Sequence, residues 1–145
     1  MKRIIFFTIL AISLCFYNNI FSQSIDESCK IIETEVKDGI YNNFSVNSNG
    51  FLTYNWVDKK SDSQTLITID LTKVRITKDV SQRGYRVFIN CMDEIDCINE
   101  KGRLSSNENY YSDFSKTYIP AKDEKGMIAI YNHLLFLLKW GNTNK

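Results

Sequence analysis

A chain of 145 residues with 18 Lys and Arg against 17 Asp and Glu carries a formal net charge of +1, which excludes the basic excess of a nucleic-acid or anionic-membrane binder. With 43% hydrophobic and 13% aromatic residues the composition is that of a globular domain, not of a disordered segment. No segment repeats, and none beyond the N-terminus is apolar for long enough to span a bilayer.

The chain opens on Lys2 and Arg3, continues through an apolar run over residues 4–16, and reaches the small residue Ser22 after a polar stretch. That order reads as a secretory signal peptide over residues 1–22, with cleavage after Ser22 or, nearly as well placed, after Gln23. Cys15 raises the alternative of a lipidated N-terminus, but Leu14 is bulky where that processing needs a small residue. Removing 22 of 145 residues leaves 123, enough for one domain; Lys2 and Arg3 go with them, so 16 basic residues face 17 acidic ones, a balance of −1. The expected location is the periplasm or the exterior.

Residues 23–39 read as a lead segment, in which 31–36 mixes apolar and acidic residues and fits a first strand or a short helix. The single β-rich domain is expected over 40–141. Asn47, Ser48, Asn49 and Gly50 form a turn signal, so residues 40–46 and the strand from Phe51 make a hairpin. In that second strand Leu52, Tyr54 and Trp56 alternate with Thr53, Asn55 and Val57, the two-residue period of a half-buried strand. A polar turn over 58–63 follows, then a strand over 65–71 with Ile67, Ile69 and Leu71 on one face. Residues 73–77 continue as strand or bend, 81–84 break the chain, and Tyr85, Val87, Ile89 and Cys91 alternate again. Residues 99–109 read as a polar connection and 110–119 as one edge or final strand.

Pro120 stops that strand. Asp123 is a good N-cap for a helix over 123–140, where Met127, Ile130, Tyr131, Leu134, Leu137 and Leu138 recur at helical spacing, and Gly141 suits the position after the C-cap. So wide an apolar stripe must pack against the sheet. The fold class predicted is α+β, mainly β: an antiparallel bent sheet or partly open barrel capped by one C-terminal amphipathic helix.

Without its signal the chain keeps Cys29, Cys91 and Cys97, in a compartment where thiols oxidise. Cys91 and Cys97 bracket a turn carrying Asp93, Glu94 and Asp96 and are placed to bridge, which would pin a hairpin tip and contribute about 2 kcal/mol on the chain-entropy model. Cys29 is then an odd thiol, free or linked to another chain, and pairings through it remain alternatives. The single histidine, His133, has no nucleophile motif beside it and reads as a surface or rim residue, so no catalytic residue is assigned. Without a CxxC pair, or the glycine and alternating oxygens of a calcium loop, no metal or cofactor is expected. Most aromatics belong to core or cross-strand pairs. Adjacent Tyr110 and Tyr111 must point to opposite faces, however, and with Trp56 they are the candidates for a ligand groove.

The runs TLITIDLTKV (65–74), VFINC (87–91) with DCI (96–98), and YNHLLFLLK (131–139) give an order of strands, cysteine-flanked turn and final helix. That order resembles small secreted bacterial domains of unknown function with a pleckstrin-homology-like outline. The resemblance implies a bent antiparallel sheet plugged by its C-terminal helix. It does not imply phosphoinositide binding, because Asp58, Lys59 and Lys60 make a short loop of mixed charge. The function expected is an exported, non-catalytic binding or interaction module for a protein, peptide or glycan ligand. A small envelope enzyme or inhibitor is the alternative. No nucleic-acid partner is expected, and no transmembrane segment after signal removal.

Overall fold

The computed structural model describes residues 24–58, 63–93, 95–103 and 109–143. The signal segment, residues 59–62 of the second turn, Glu94 and residues 104–108 lie outside them. Alternating residues form eight strands among the described residues: β1 (Tyr41–Val46), β2 (Phe51–Asp58), β3 (Ser63–Asp70), β4 (Val74–Ser81), β5 (Gly84–Cys91), β6 (Ile98–Arg103), β7 (Asn109–Phe114) and β8 (Lys116–Pro120). They build two antiparallel sheets, ordered β1-β2-β3-β6-β7 and β4-β5-β8, and neither closes into a barrel. The class is α+β, mainly β, as the alternation predicts.

The first hairpin turns where Gly50 takes φ +77°, a left-handed conformation that favours glycine. The Asn47 side chain braces the turn by accepting from the amides of Asn49 (3.0 Å) and Phe51 (3.1 Å). The register of β1 shifts between Asn42 and Ser45, with Asn43 at φ +57°. That bulge sends both Tyr41 and Phe44 inward, whereas regular alternation would bury one and expose the other.

Three crossings between the sheets meet at one corner. β3 passes into β4 through a 3-10 turn at Leu71–Lys73, β5 passes into β6 through the loop closed by Cys91 and Cys97, and β7 passes into β8 at Ser115. Backbone bonds knit these crossings together: Cys91 N–H to Ser115 O (2.7 Å), Met92 N–H to Lys73 O (2.7 Å) and Asp70 N–H to Cys97 O (3.1 Å). The Cys91–Cys97 disulfide is present, with Cα atoms 5.7 Å apart. It does not pin a hairpin tip, since β5 pairs with β4 and β8 while β6 pairs with β3 and β7; it fastens a change of sheet.

Two sequence expectations are corrected at this corner. The polar connection read over 99–109 contains β6, a central strand flanked by β3 and β7. Its one large apolar residue, Ile98, gives no alternation to read, yet its backbone bonds are satisfied on both sides. The single strand read over 110–119 is two, bent at Ser115 into different sheets.

Two helices complete the core. Residues 24–35, within the lead segment, are helical (α1), and Ile25, Cys29, Ile32 and the following Val36 form one buried stripe. The second helix, α2 (Glu124–Thr143), is capped by Asp123, whose carboxylate accepts from the Gly126 amide at 2.8 Å. It buries Met127, Ile130, Leu134 and Leu137 against β4, β5 and the 3-10 turn. The helix does not end before Gly141 but runs through it, and Gly141 serves as a point of close approach: a Cβ built on Gly50 would lie 3.2 Å from its Cα. α1 joins α2 through His133, whose Nδ1 lies 3.1 Å from Ser28 Oγ. Because the Ser28 hydroxyl donates to the Ser24 carbonyl (2.8 Å), its oxygen is left to accept from His133.

Leu134→Ala should cost about 2–5 kcal/mol, as expected for a fully buried leucine, read from urea unfolding. Gly50→Ala, which forces a Cβ onto a left-handed residue and toward Gly141, should lower the unfolding midpoint by the equivalent of about 1–2 kcal/mol. Gly141→Ala should be close to neutral, because its Cβ would meet Leu71 and Gly50 at 3.4 and 3.5 Å, ordinary contact distances.

Candidate ligand-binding cleft

Cross-strand register defines the inner face of the five-stranded sheet. One row of partners, Tyr41, Trp56, Thr65, Gly102 and Tyr110, crosses all five strands. The next row holds Tyr54, Ile67, Glu100 and Ser112, and the third holds Leu52, Ile69, Ile98 and Phe114. β8, arriving from the corner, faces this surface with Thr117. A cleft of about 170 Å³ remains between them. Its walls are aromatic (Tyr41, Trp56, Phe114) and aliphatic (Ile67, Ile98), and its polar groups are Glu100, Thr117 and Lys116.

Tyr54 sits beside this cleft, 0% exposed. Its ring is stacked on Phe44 at 4.8 Å and meets the edge of Tyr41 at 5.3 Å. Its hydroxyl has no hydrogen-bond partner among the described residues. Burial pushes its pKa up, Tyr41 and Glu100 add to the rise, and Thr117 opposes it; the Thr117 hydroxyl is near enough to favour the phenolate without forming a bond of proper geometry. Tyr41 is pushed up to about 12 by burial, reinforced by Tyr118 and Glu100. The cleft therefore holds neutral phenols and a negative field from Glu100.

The three groove residues read from the sequence are not brought together. Trp56 lines the cleft. Tyr110 points to the same face but lies over Gly102, where a Cβ would meet its ring at 2.5 Å, and its hydroxyl reaches Thr65 Oγ1 (3.0 Å) and Glu100 Oε1 (3.4 Å). It therefore positions Glu100 without lining the cleft. Tyr111, 63% exposed, is on the opposite face with the Lys101 ammonium 5.4 Å from its ring centre. The other seven lining residues, among them Tyr41, Glu100 and Phe114, are missing from the sequence reading of the groove. Tyr41 is turned inward by a bulge, and Glu100 belongs to a strand with no hydrophobic period. Phe114 closes a mostly polar strand, where no alternation singles it out.

Elsewhere, Cys29 is 4% exposed and unbridged. Burial, helped by Asp26 and Glu33, pushes its thiol up to about 11. His133 is half-buried between the helices, so it is a packing residue at their seam. Among the described residues no helix is long and apolar enough to cross a membrane. Compared with protein-family models, with curated proteins and with solved structures, the chain finds no match.

The buried thiol sets a pH dependence. A group whose folded pKa is raised contributes stability below its unfolded value, and that contribution disappears as pH rises from 9.0 through about 11. The drop in urea midpoint across that range should be smaller in Cys29→Ala than in the parent protein. In the native parent, a thiol reagent at about pH 8 should label Cys29 only after denaturant is added.

Proposed function

We propose that this chain is an exported, non-catalytic binding module that takes its ligand in the cleft between the five-stranded sheet and β8. The observation that carries the reading is the convergence of the Tyr41, Trp56 and Phe114 rings with the carboxylate of Glu100 on one opening. Tyr41, Trp56 and Phe114 offer ring faces of the kind that binding sites use for apolar or cationic groups. Glu100 is the one carboxylate of the cleft, and no nucleophile–base pair accompanies it among the described residues, which favours holding over turnover.

The cleft admits a single side chain or small head group, so the ligand is a peptide or small molecule that inserts one such group and leaves the rest outside. Export is supported by the basic and apolar N-terminal segment and by the Cys91–Cys97 bridge, which suits an oxidising compartment. The bent antiparallel sheets with a terminal helix support the likeness to small secreted bacterial domains of pleckstrin-homology-like outline.

The protein carries two tryptophans, so Trp140→Phe leaves Trp56 as the sole indole reporter in the cleft. Screening peptides and small molecules against that protein should give ligands that shift Trp56 emission. Phe114→Ala, at a 42% exposed position, should weaken them about tenfold (1.4 kcal/mol) with little change in unfolding midpoint. Chemical turnover of a bound compound, or affinity indifferent to Phe114, would overturn the reading.

A further inference from the structure

We propose that the group held in this cleft is an organic ammonium, an inference that rests on the binding reading above and narrows it to one ligand chemistry. The argument is one of charge and ring placement. Tyr41, Trp56 and Phe114 come from β1, β2 and β7 and converge on one small opening. A cation is attracted to the face of an aromatic ring, most strongly to an indole. Glu100 lies in the same opening, on the central strand β6.

The two lysines that could neutralise Glu100 are both held elsewhere. Lys101, the next residue in the strand, points to the opposite face and places its ammonium 5.4 Å from the Tyr111 ring centre. Lys116 lines the mouth, but its register partner is Asn90, on the outer face of the three-stranded sheet, and its ammonium lies 4.3 Å from the Phe88 ring centre there. Among the described residues no ammonium or guanidinium lies within ion-pair distance of Glu100; its hydrogen bond comes from the neutral Tyr110 hydroxyl at 3.4 Å. A half-buried carboxylate without a counter-charge, set among rings, attracts a cation and repels an anion.

The neutral polar group of the lining fits the same ligand. Of the lining residues, Thr117 can accept an ammonium N–H with its hydroxyl oxygen. A cleft of about 170 Å³ holds an alkylammonium head group with its chain leading outward. A lysine side chain of a peptide and a free small amine share this chemistry.

The test titrates the full chain, carrying Trp140→Phe, with four probes: choline, n-butylamine, Nα-acetyl-lysine amide and 3,3-dimethylbutan-1-ol, the neutral isostere of choline. Trp56 emission reports binding. At least one cation should bind about tenfold or more tightly than the neutral alcohol. Glu100→Gln, which keeps an oxygen for Tyr110, should remove that preference without altering the alcohol. Phe114→Ala, a surface change, should weaken the cations even if Glu100→Gln proves poorly folded. Tighter binding of the lysine amide than of butylamine would place the source in a protein partner, and the reverse would point to a free amine; both support the proposal. Equal binding of choline and the alcohol, an affinity for cations that ignores Glu100→Gln and Phe114→Ala, or no saturation by any cation would overturn it. Library ligands that still shift Trp56 emission would then leave the binding reading standing.

Discussion

Asp70 ends β3 at the corner where the chain leaves one sheet for the other, and its carboxylate organises the exit. It accepts from the Thr72 amide (3.0 Å) and the Thr72 hydroxyl (2.6 Å) and pairs with the Lys73 ammonium (3.1 Å). Burial works against the charged form, but the Thr72 bonds and Lys73 outweigh it and hold the carboxyl below its ordinary range. The next residue, Leu71, donates its amide to the Gly50 carbonyl (3.1 Å), so the first hairpin is tied to the same point. Within a few residues lie the bridge of Cys91 and Cys97 and the bend at Ser115. Three crossings fixed together leave the two sheets little freedom to slide, because a shift of any one would break backbone bonds of the other two. Where β8 emerges, and hence the width of the cleft below it, follows from this corner.

The helices stabilise the arrangement from the other side. α2 lays its apolar stripe on the three-stranded sheet and, at Gly141, touches the hairpin turn at Gly50; a helix ending earlier would leave that turn uncovered. α1 fills the remaining gap through Ile25, Cys29 and Ile32, and its Glu35 carbonyl accepts from the Lys122 amide at 3.1 Å just before α2 begins. Both ends of the described chain thus close on one core, and the single histidine is used to join two helices, which leaves it unsuited to acid–base work in the cleft.

Much of this was legible in the residues. Asn47 to Gly50 marked the first turn, the alternation of Thr65 to Leu71 and of Tyr85 to Cys91 marked β3 and β5, and Asp123 marked the start of α2, because each signal is local and matches what the structure demands. The readings failed where tertiary context supplied the demand. β6 is polar on both faces except at Ile98 and is held as a strand by its neighbours' hydrogen bonds, which no period reveals. α1 became visible only by counting Cys29 with Ile25 and Ile32. The bend at Ser115 has no glycine or proline, since β7 and β8 each need only rotate into a different partner. Gly141 looked like a terminator and is a spacer. The cleft was least legible of all, because it joins residues of six strands, one of them turned inward by the bulge at Asn43.

A sequence is easiest to read where local preference and global packing agree, and agreement is weakest where packing is not the only demand on a residue. Around the cleft, Tyr54 is buried with its hydroxyl unpaired, Glu100 occupies an inner-face position that an aliphatic residue would fill at lower cost, and Tyr110 needs Gly102 beneath it to hold Glu100 in place. In the neighbouring row of the same sheet, Leu52 and Ile69 are fully buried and pack through apolar side chains alone. Replacing Glu100 with a leucine would extend that apolar layer and remove the one carboxylate of the opening. The polar stretch is thus confined to a few residues beside one opening: Glu100 lines it, Tyr54 packs behind its Tyr41 wall, and Tyr110 holds the Glu100 carboxylate from the side.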